Sequence, residues 1–334
     1  MTSIAIAPSG LHMRRKISLL MLALAAWATP AIALPEATDT SPHKTSFIRV
    51  ANDITLEVLD WGGQGSPIVF LAGGSSTAHV FDKFALNFTS RHHVYGITRR
   101  GLGRSSAPPP EPENYDANVL ADDVIAVLDA VKIEKPVLIG HSFAGAEMTS
   151  IGTRYSERVA GLVYMDASYP RAFYDAEVPL AYEVDAAVVS RDLRRFQWAS
   201  PKEASALIEE IQRTLPSLQK GLDWYAKTLQ GMPEFKSQPD PWAIAHANLG
   251  GDHQYGNVKP PMLIFFAVPN PCQPDCKNND DMWQAAEELQ RKSIEAKYPE
   301  ARIVRLANAN HAIWTTNEAD VTREVNAFLQ RLLH

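Results

Sequence analysis

The sequence predicts an α/β fold: a mostly parallel sheet with helices on both faces and an inserted helical segment. Three observations carry this. Apolar strand-like runs alternate with helical spacing from residue 46 to residue 168. The alternation stops near Pro170, and residues 170–258 carry only helix and loop patterns. A continuous apolar run then returns at 261–266, followed by helix, strand and helix. Strand–helix–strand alternation calls for parallel pairing through right-handed crossovers.

Residues 47–50 and 54–58 alternate in polarity around Asn52-Asp53, the pattern of a hairpin. Pro67-Ile68-Val69-Phe70-Leu71 is apolar throughout, as a strand covered on both faces requires. Residues 93–97 are the next strand. Between 115 and 131, Val119, Leu120, Val124, Ile125, Val127 and Leu128 recur at helical spacing. Residues 136–139 form a strand that runs into Ser142, a helix follows, and 160–165 form another strand. Within the insertion, helices are expected at 201–211, 221–229 and 241–248. Residues 280–296 are helical, 301–306 a strand, and 318–333 a final helix with Val321, Val325, Phe328 and Leu332 on one face. The expected organisation is a core built from 34–169 and 259–334, with a helical cap at 170–258.

The composition, 46% hydrophobic and 21% charged over 334 residues, is that of an ordinary globular chain. With 32 basic against 38 acidic side chains and no basic stripe, nucleic acid is not an expected partner. There is no H-E-x-x-H, no clustered His/Cys set and no G-x-G-x-x-G after the first strand, so neither metal nor cofactor is expected.

Arg14, Arg15 and Lys16 precede an apolar run, 17–33, that ends in Ala31-Ile32-Ala33. A basic region, an apolar region and a small-x-small end make a signal peptide over 1–33. The run is interrupted by Pro30 and is short of the roughly 20 apolar residues that span a bilayer. The expectation is a periplasmic or secreted protein with no stable membrane insertion after cleavage. Loss of three positive charges would take the net charge from −6 to −9.

Val137 to Gly145 (VLIGHSFAG) is the most informative stretch. A buried strand enters Ser142 and a helix leaves directly after it. Such a tight turn needs small residues, here Gly140 and Ala144. It exposes the serine at the carboxyl edge of the sheet, where open α/β folds hold ligands. The Phe143 N–H then sits at a helix N-terminus, aimed at a developing oxyanion. Gly73-Gly74 follows the strand at 67–71, and Gly74 is the expected second donor. Arg99-Arg100-Gly101-Leu102-Gly103-Arg104 reads as a fixed structural loop beside the serine turn.

PIVFLAGG (67–74), ITRRGLGRSSAPP (97–109), VLIGHSFAG (137–145), GLVYMDAS (161–168) and the segment from Ala307 onward occur in an order and at distances that resemble the α/β-hydrolase superfamily. The resemblance covers residues 46 to 334. It implies an eight-stranded, mostly parallel sheet, a cap after the sixth strand and a nucleophile–acid–histidine triad. Ala72 stands where that family commonly has histidine, and Ala144 where it commonly has glycine.

A serine hydroxyl needs a base. His311, in the loop after the strand at 301–306, fits the chain order Ser, acid, His. His141 is expected to pack or hydrogen-bond, and His246 and His253 lie in the insertion, where they could line a cavity. The acid has two principal candidates. Asp166 ends the sixth strand, a place some family members use. Asp275 lies in the loop after the seventh strand, the usual place, with Asp280 and Asp281 further on. Cys272 and Cys276 flank Asp275, and in an oxidising compartment a disulfide between them is expected, with two free thiols as the alternative.

The resulting expectation is hydrolysis of an ester of a small to medium, partly apolar substrate through an acyl-enzyme. Ser142 would be the nucleophile, His311 the base, Asp166 the orienting acid, and Gly74 and Phe143 the oxyanion donors. The alternatives are an amidase, peptidase or carbon–carbon hydrolase with the same triad, and an inactive binding protein on the same scaffold. The expected partner is a small-molecule substrate; oligomeric state is left open.

Overall fold

The structure is a computed structural model that describes residues 42–230, 243–268 and 280–332. In chain order the elements are β1 (Lys44–Ala51), β2 (Ile54–Gly62), β3 (Pro67–Leu71), a 3-10 turn (Ala78–Phe81), α1 (Asp82–Ala85), β4 (His93–Ile97), α2 (Ala117–Ala130), β5 (Val137–His141), α3 (Ala144–Arg154) and β6 (Gly161–Met165). The inserted cap contributes α4 (Tyr182–Phe196), α5 (Pro201–Leu229) and α6 (Ala243–Gly250). The chain then closes through β7 (Met262–Val268), α7 (Asp280–Lys297), β8 (Arg302–Ala307), α8 (Ile313–Thr316) and α9 (Glu318–Leu332).

The eight strands form one sheet in the order β1-β2-β4-β3-β5-β6-β7-β8. The β1–β2 and β2–β4 pairings are antiparallel and the rest are parallel. The hairpin turns at Asp53, which adopts φ 59°. Side chains of β3 alternate between two cores, as strand geometry requires. Ile68 and Phe70 pack with Phe81, Phe84, Phe88 and the α9 residues Val321, Val325 and Phe328. Val69 and Leu71 pack with α2 and α3 through Val124, Leu128 and Met148. Both faces are covered, which explains the uninterrupted apolar sequence of the central strands.

The cap differs from its sequence pattern in two ways. The expected helices at 201–211 and 221–229 are one helix, α5. Pro216 lies inside it and removes one backbone donor, yet the helix continues because its Leu207, Thr214, Gly221 and Thr228 face is buried along the whole length. Its start is well specified: Ser200 and Glu203 form a reciprocal capping box ahead of Pro201. The second difference is α4, a helix not expected from the sequence pattern, with Val184, Ala187 and Val188 buried on one face. α4 packs on α5, with Tyr182 and Tyr225 stacked at 5.2 Å. A β-carbon on Gly221 would lie 2.4 Å from Tyr182 Cβ, so glycine permits that approach.

The expected Cys272–Cys276 disulfide is withdrawn. No disulfide stands among the described residues, and both cysteines fall in 269–279, outside them. The expected signal peptide of 1–33 likewise lies outside the described residues. Among the described residues, no helix is long and apolar enough to cross a membrane.

Candidate active site

β5 ends at His141, and Ser142 follows with φ 53°. That left-handed conformation is strained for a serine and is held from both sides. The Ser142 N–H donates to the Met165 carbonyl at 3.4 Å, and the Gly145 N–H donates to the Ser142 carbonyl at 3.0 Å. Close packing explains the small residues around the turn. A β-carbon on Gly145 would sit 2.0 Å from the Ala167 carbonyl oxygen, and one on Gly140 would sit 2.7 Å from Met148 Sδ. Phe143 occupies the N-cap of α3. Its ring packs on the Gly73-Gly74 loop so closely that a β-carbon on Gly74 would lie 2.6 Å from it.

Asp166, one residue beyond β6, also has a positive φ, 45°. Its N–H donates to the Phe265 carbonyl at 3.2 Å, and its Oδ1 accepts the Ala267 N–H at 3.3 Å. The bend thus fixes the carboxylate against β7. Its Oδ2 lies 2.7 Å from Nδ1 of His311, and the Tyr169 hydroxyl donates to the same oxygen at 3.5 Å. His311 sits in the β8–α8 loop with its side chain 41% exposed. Ser142, Phe143 and His311 line one cavity of about 280 Å³ together with Tyr169, Arg171 and Trp283. The cap closes this cavity with Leu180, Glu183 and Val184.

Of the residues expected at the site, Ser142, Phe143, Asp166 and His311 come together, and Gly74 packs against Phe143. Asp275 lies outside the described residues. Asp280 and Asp281 open α7. Neither His246 nor His253 lines the cavity. His253 instead lies 2.8 Å from Asp116, at the N-cap of α2. The cap aromatics Phe173, Tyr174, Tyr182, Trp224 and Tyr225 also stay off the cavity wall.

Hydrogen bonding by His141 and a structural role for the Arg99 loop were expected from the sequence, but the partners of three residues were not. Arg99 donates to both oxygens of buried Glu147 on α3 and, at 3.1 Å, to the Ala72 carbonyl just before Gly73. Burial pushes the Glu147 carboxyl up, and the Arg99 charge opposes that shift. Arg171 lies with its guanidinium carbon 3.8 Å from the Phe143 ring centroid and donates to Asp252 at 3.0 Å. Burial pushes Asp252 up to about 6 against the pull of Arg171. His141, buried beside Ser142, donates through Nε2 to the His311 carbonyl at 3.0 Å. Its partners lie far along the chain, so no local spacing marks them.

The sequence profile of the Alpha/beta hydrolase family matches residues 68–324, and the chain belongs to that family. It is similar to the AB hydrolase superfamily protein YisY of Bacillus subtilis, 33% identical over 130 residues, which is 37% of this chain and 46% of that protein. It is also similar to epoxide hydrolase 3 of Xenopus tropicalis, 26% identical over 149 residues, 44% of this chain and 40% of the relative. The matched stretches therefore span less than half the length of these curated relatives. Among solved structures, the carboxylesterase CesB of Bacillus subtilis superposes with a TM-score of 0.54 at 13% identity, covering 87% of this chain and 93% of that one. At that identity the likeness is one of fold.

Proposed function

We propose that this hydrolase-fold enzyme is a serine esterase acting on small to medium, partly apolar esters. The observation that carries the reading is the 2.7 Å approach of His311 Nδ1 to Asp166 beside a cavity that Ser142 also lines. With Nδ1 facing the carboxylate, Nε2 is the nitrogen left to take the Ser142 proton. Ser142 Oγ attacks the ester carbonyl, and the Gly74 and Phe143 N–H groups receive the oxyanion. The imidazolium returns its proton to the leaving alkoxide. Water, activated by the same nitrogen, then hydrolyses the acyl-enzyme and regenerates Ser142.

A hydroxyl at position 142 favours acyl transfer over epoxide opening through an alkyl-ester intermediate, which needs a carboxylate nucleophile. A cavity of about 280 Å³ lies at the small end of ligand sites, which favours short acyl groups. The test is turnover of a nitrophenyl ester series of increasing acyl length, with Ser142→Ala beside the wild type. Turnover by the wild type that falls at least ~10³-fold in the variant is expected. Undiminished turnover by Ser142→Ala overturns the reading. Labelling by a serine-directed phosphonate without any ester turnover would move the assignment to amide or carbon–carbon bond hydrolysis. Neither labelling nor turnover would point to an inactive binding protein.

A further inference from the structure

We propose that His43, His79 and Asp82 form a binding site for a divalent transition-metal ion, with zinc the best match to the donor set. His79 and Asp82 lie three residues apart where the 3-10 turn after the Gly73-Gly74 loop runs into α1, and His43, the residue before β1, comes to them from elsewhere in the chain. One ligand atom from each lies within 4.8 Å of the others. His79 Nδ1 is 3.0 Å from Asp82 Oδ2, and His43 Nδ1 is 3.9 Å from Asp82 Oδ1. Metal–donor bonds of about 2.0–2.2 Å place neighbouring donors at separations of this size. Two imidazoles and one carboxylate suit zinc, cobalt or nickel better than the hard ions calcium and magnesium.

The surroundings make the stronger argument. Ligating histidines usually present their other ring nitrogen to a carboxylate, and ligating carboxylates are themselves hydrogen-bonded. The second feature is present, and for the first a carboxylate stands near the other nitrogen of His79 beyond hydrogen-bond distance. His79 Nε2 faces Glu57 Oε2 at 3.7 Å, and the Trp61 indole N–H donates to Asp82 Oδ1 at 3.0 Å. Glu57 is 1% exposed; its Oε2 accepts the Thr98 hydroxyl at 2.9 Å, while its buried Oε1 has no hydrogen-bond partner among the described residues. A buried carboxylate so incompletely satisfied is costly unless positive charge lies nearby. A dication at the three-residue cluster supplies it through His79.

The site is distinct from the serine cavity, whose wall contains none of these residues. It is linked to the segment that follows Gly74, because the Ala78 N–H donates to Thr98 Oγ1 at 3.1 Å and Thr98 in turn holds Glu57. An ion would pin the residue preceding β1 to that turn and stabilise the fold by linkage.

The test uses the full, untagged chain, stripped with chelator. Zinc chloride is titrated by calorimetry, and cobalt chloride by visible absorption, which reports coordination directly. One stoichiometric site is expected, unaffected by excess magnesium or calcium, with a rise in Tm on zinc addition. His79→Ala, Asp82→Asn and His43→Ala should each weaken binding at least ~10-fold, and Glu57→Gln about 10-fold. His93→Ala, outside the cluster, should leave it unchanged. His43→Ala, placed ahead of β1, guards against variants that fail to fold. No stoichiometric zinc binding by the wild type, or binding that survives in a well-folded His43→Ala/His79→Ala double variant, overturns the proposal.

Discussion

His141 Nε2 donates to the main-chain carbonyl of His311 at 3.0 Å, and the two rings lie 4.3 Å apart. The residue before the candidate nucleophile thus holds the loop that carries the candidate base. Losing that bond should let His311 drift from Ser142 without touching either side chain. His141→Ala is expected to lower kcat roughly 10²-fold, the scale of an ångström-sized misplacement. His141→Gln, whose amide can donate to the same carbonyl, should keep most of the activity. Steady-state kinetics on a nitrophenyl ester decide this, and equal losses in the two variants would remove His141 from a positioning role.

The same histidine should govern part of the acid sensitivity. Burial, aided by repulsion from His311, pushes His141 down to about 3 from the usual 6.5. Between those values the unfolded chain binds a proton that the folded chain excludes. The His141 contribution to stability is therefore complete above the unfolded pKa and is lost as pH falls toward the folded one. Asp252 acts oppositely: its raised pKa makes the folded state bind a proton as pH falls through about 6. Comparing wild type with His141→Gln cancels the Asp252 effect. Urea unfolding at pH 7 and pH 5 should show the wild type losing about 2 kcal/mol more than the variant; equal losses would contradict the assignment.

Asp166 offers the most direct test of the candidate triad. Asp166→Asn keeps the shape and leaves an amide able to meet the Ala267 N–H, but it can no longer stabilise an imidazolium at His311. Turnover should fall about 10³–10⁴-fold with an unchanged circular dichroism spectrum. Asp275→Asn should stay within a few-fold of wild type. The reverse ranking would transfer the acid role to Asp275.

What the sequence revealed follows from what is local. The central strands were legible because both faces are buried, so PIVFL and VLIGH are apolar throughout. The serine turn was legible because steric crowding at Gly140 and Gly145 writes small residues beside Ser142. The continuity of α5 through Pro216 was not legible, since tertiary burial outweighs the local cost of proline there. Asp166 was the preferred acid from its place at the end of the sixth strand, but the bend that turns its carboxylate onto β7 and toward His311 leaves no local spacing. The His43, His79 and Asp82 cluster stayed hidden in part: His79 and Asp82 are three residues apart, but His43 joins them only once β1 has paired with β2.

The Arg99–Glu147 pair should separate stability from activity. Both side chains are about 5% exposed or less, and the guanidinium also reaches the Ala72 carbonyl ahead of the Gly73-Gly74 loop. Arg99→Met leaves a buried, unpaired carboxylate and should cost about 3–5 kcal/mol in urea unfolding. Adding Glu147→Leu removes that charge, so the double variant should regain most of the lost stability. Activity should not return with it. The Ala72 carbonyl stays unanchored, and the loop carrying the Gly74 donor is freer to move relative to Phe143. A double variant as unstable as Arg99→Met alone would show that the pair's charge is not what matters. A stable double variant with full kcat would show that Arg99 holds the fold but not the oxyanion loop.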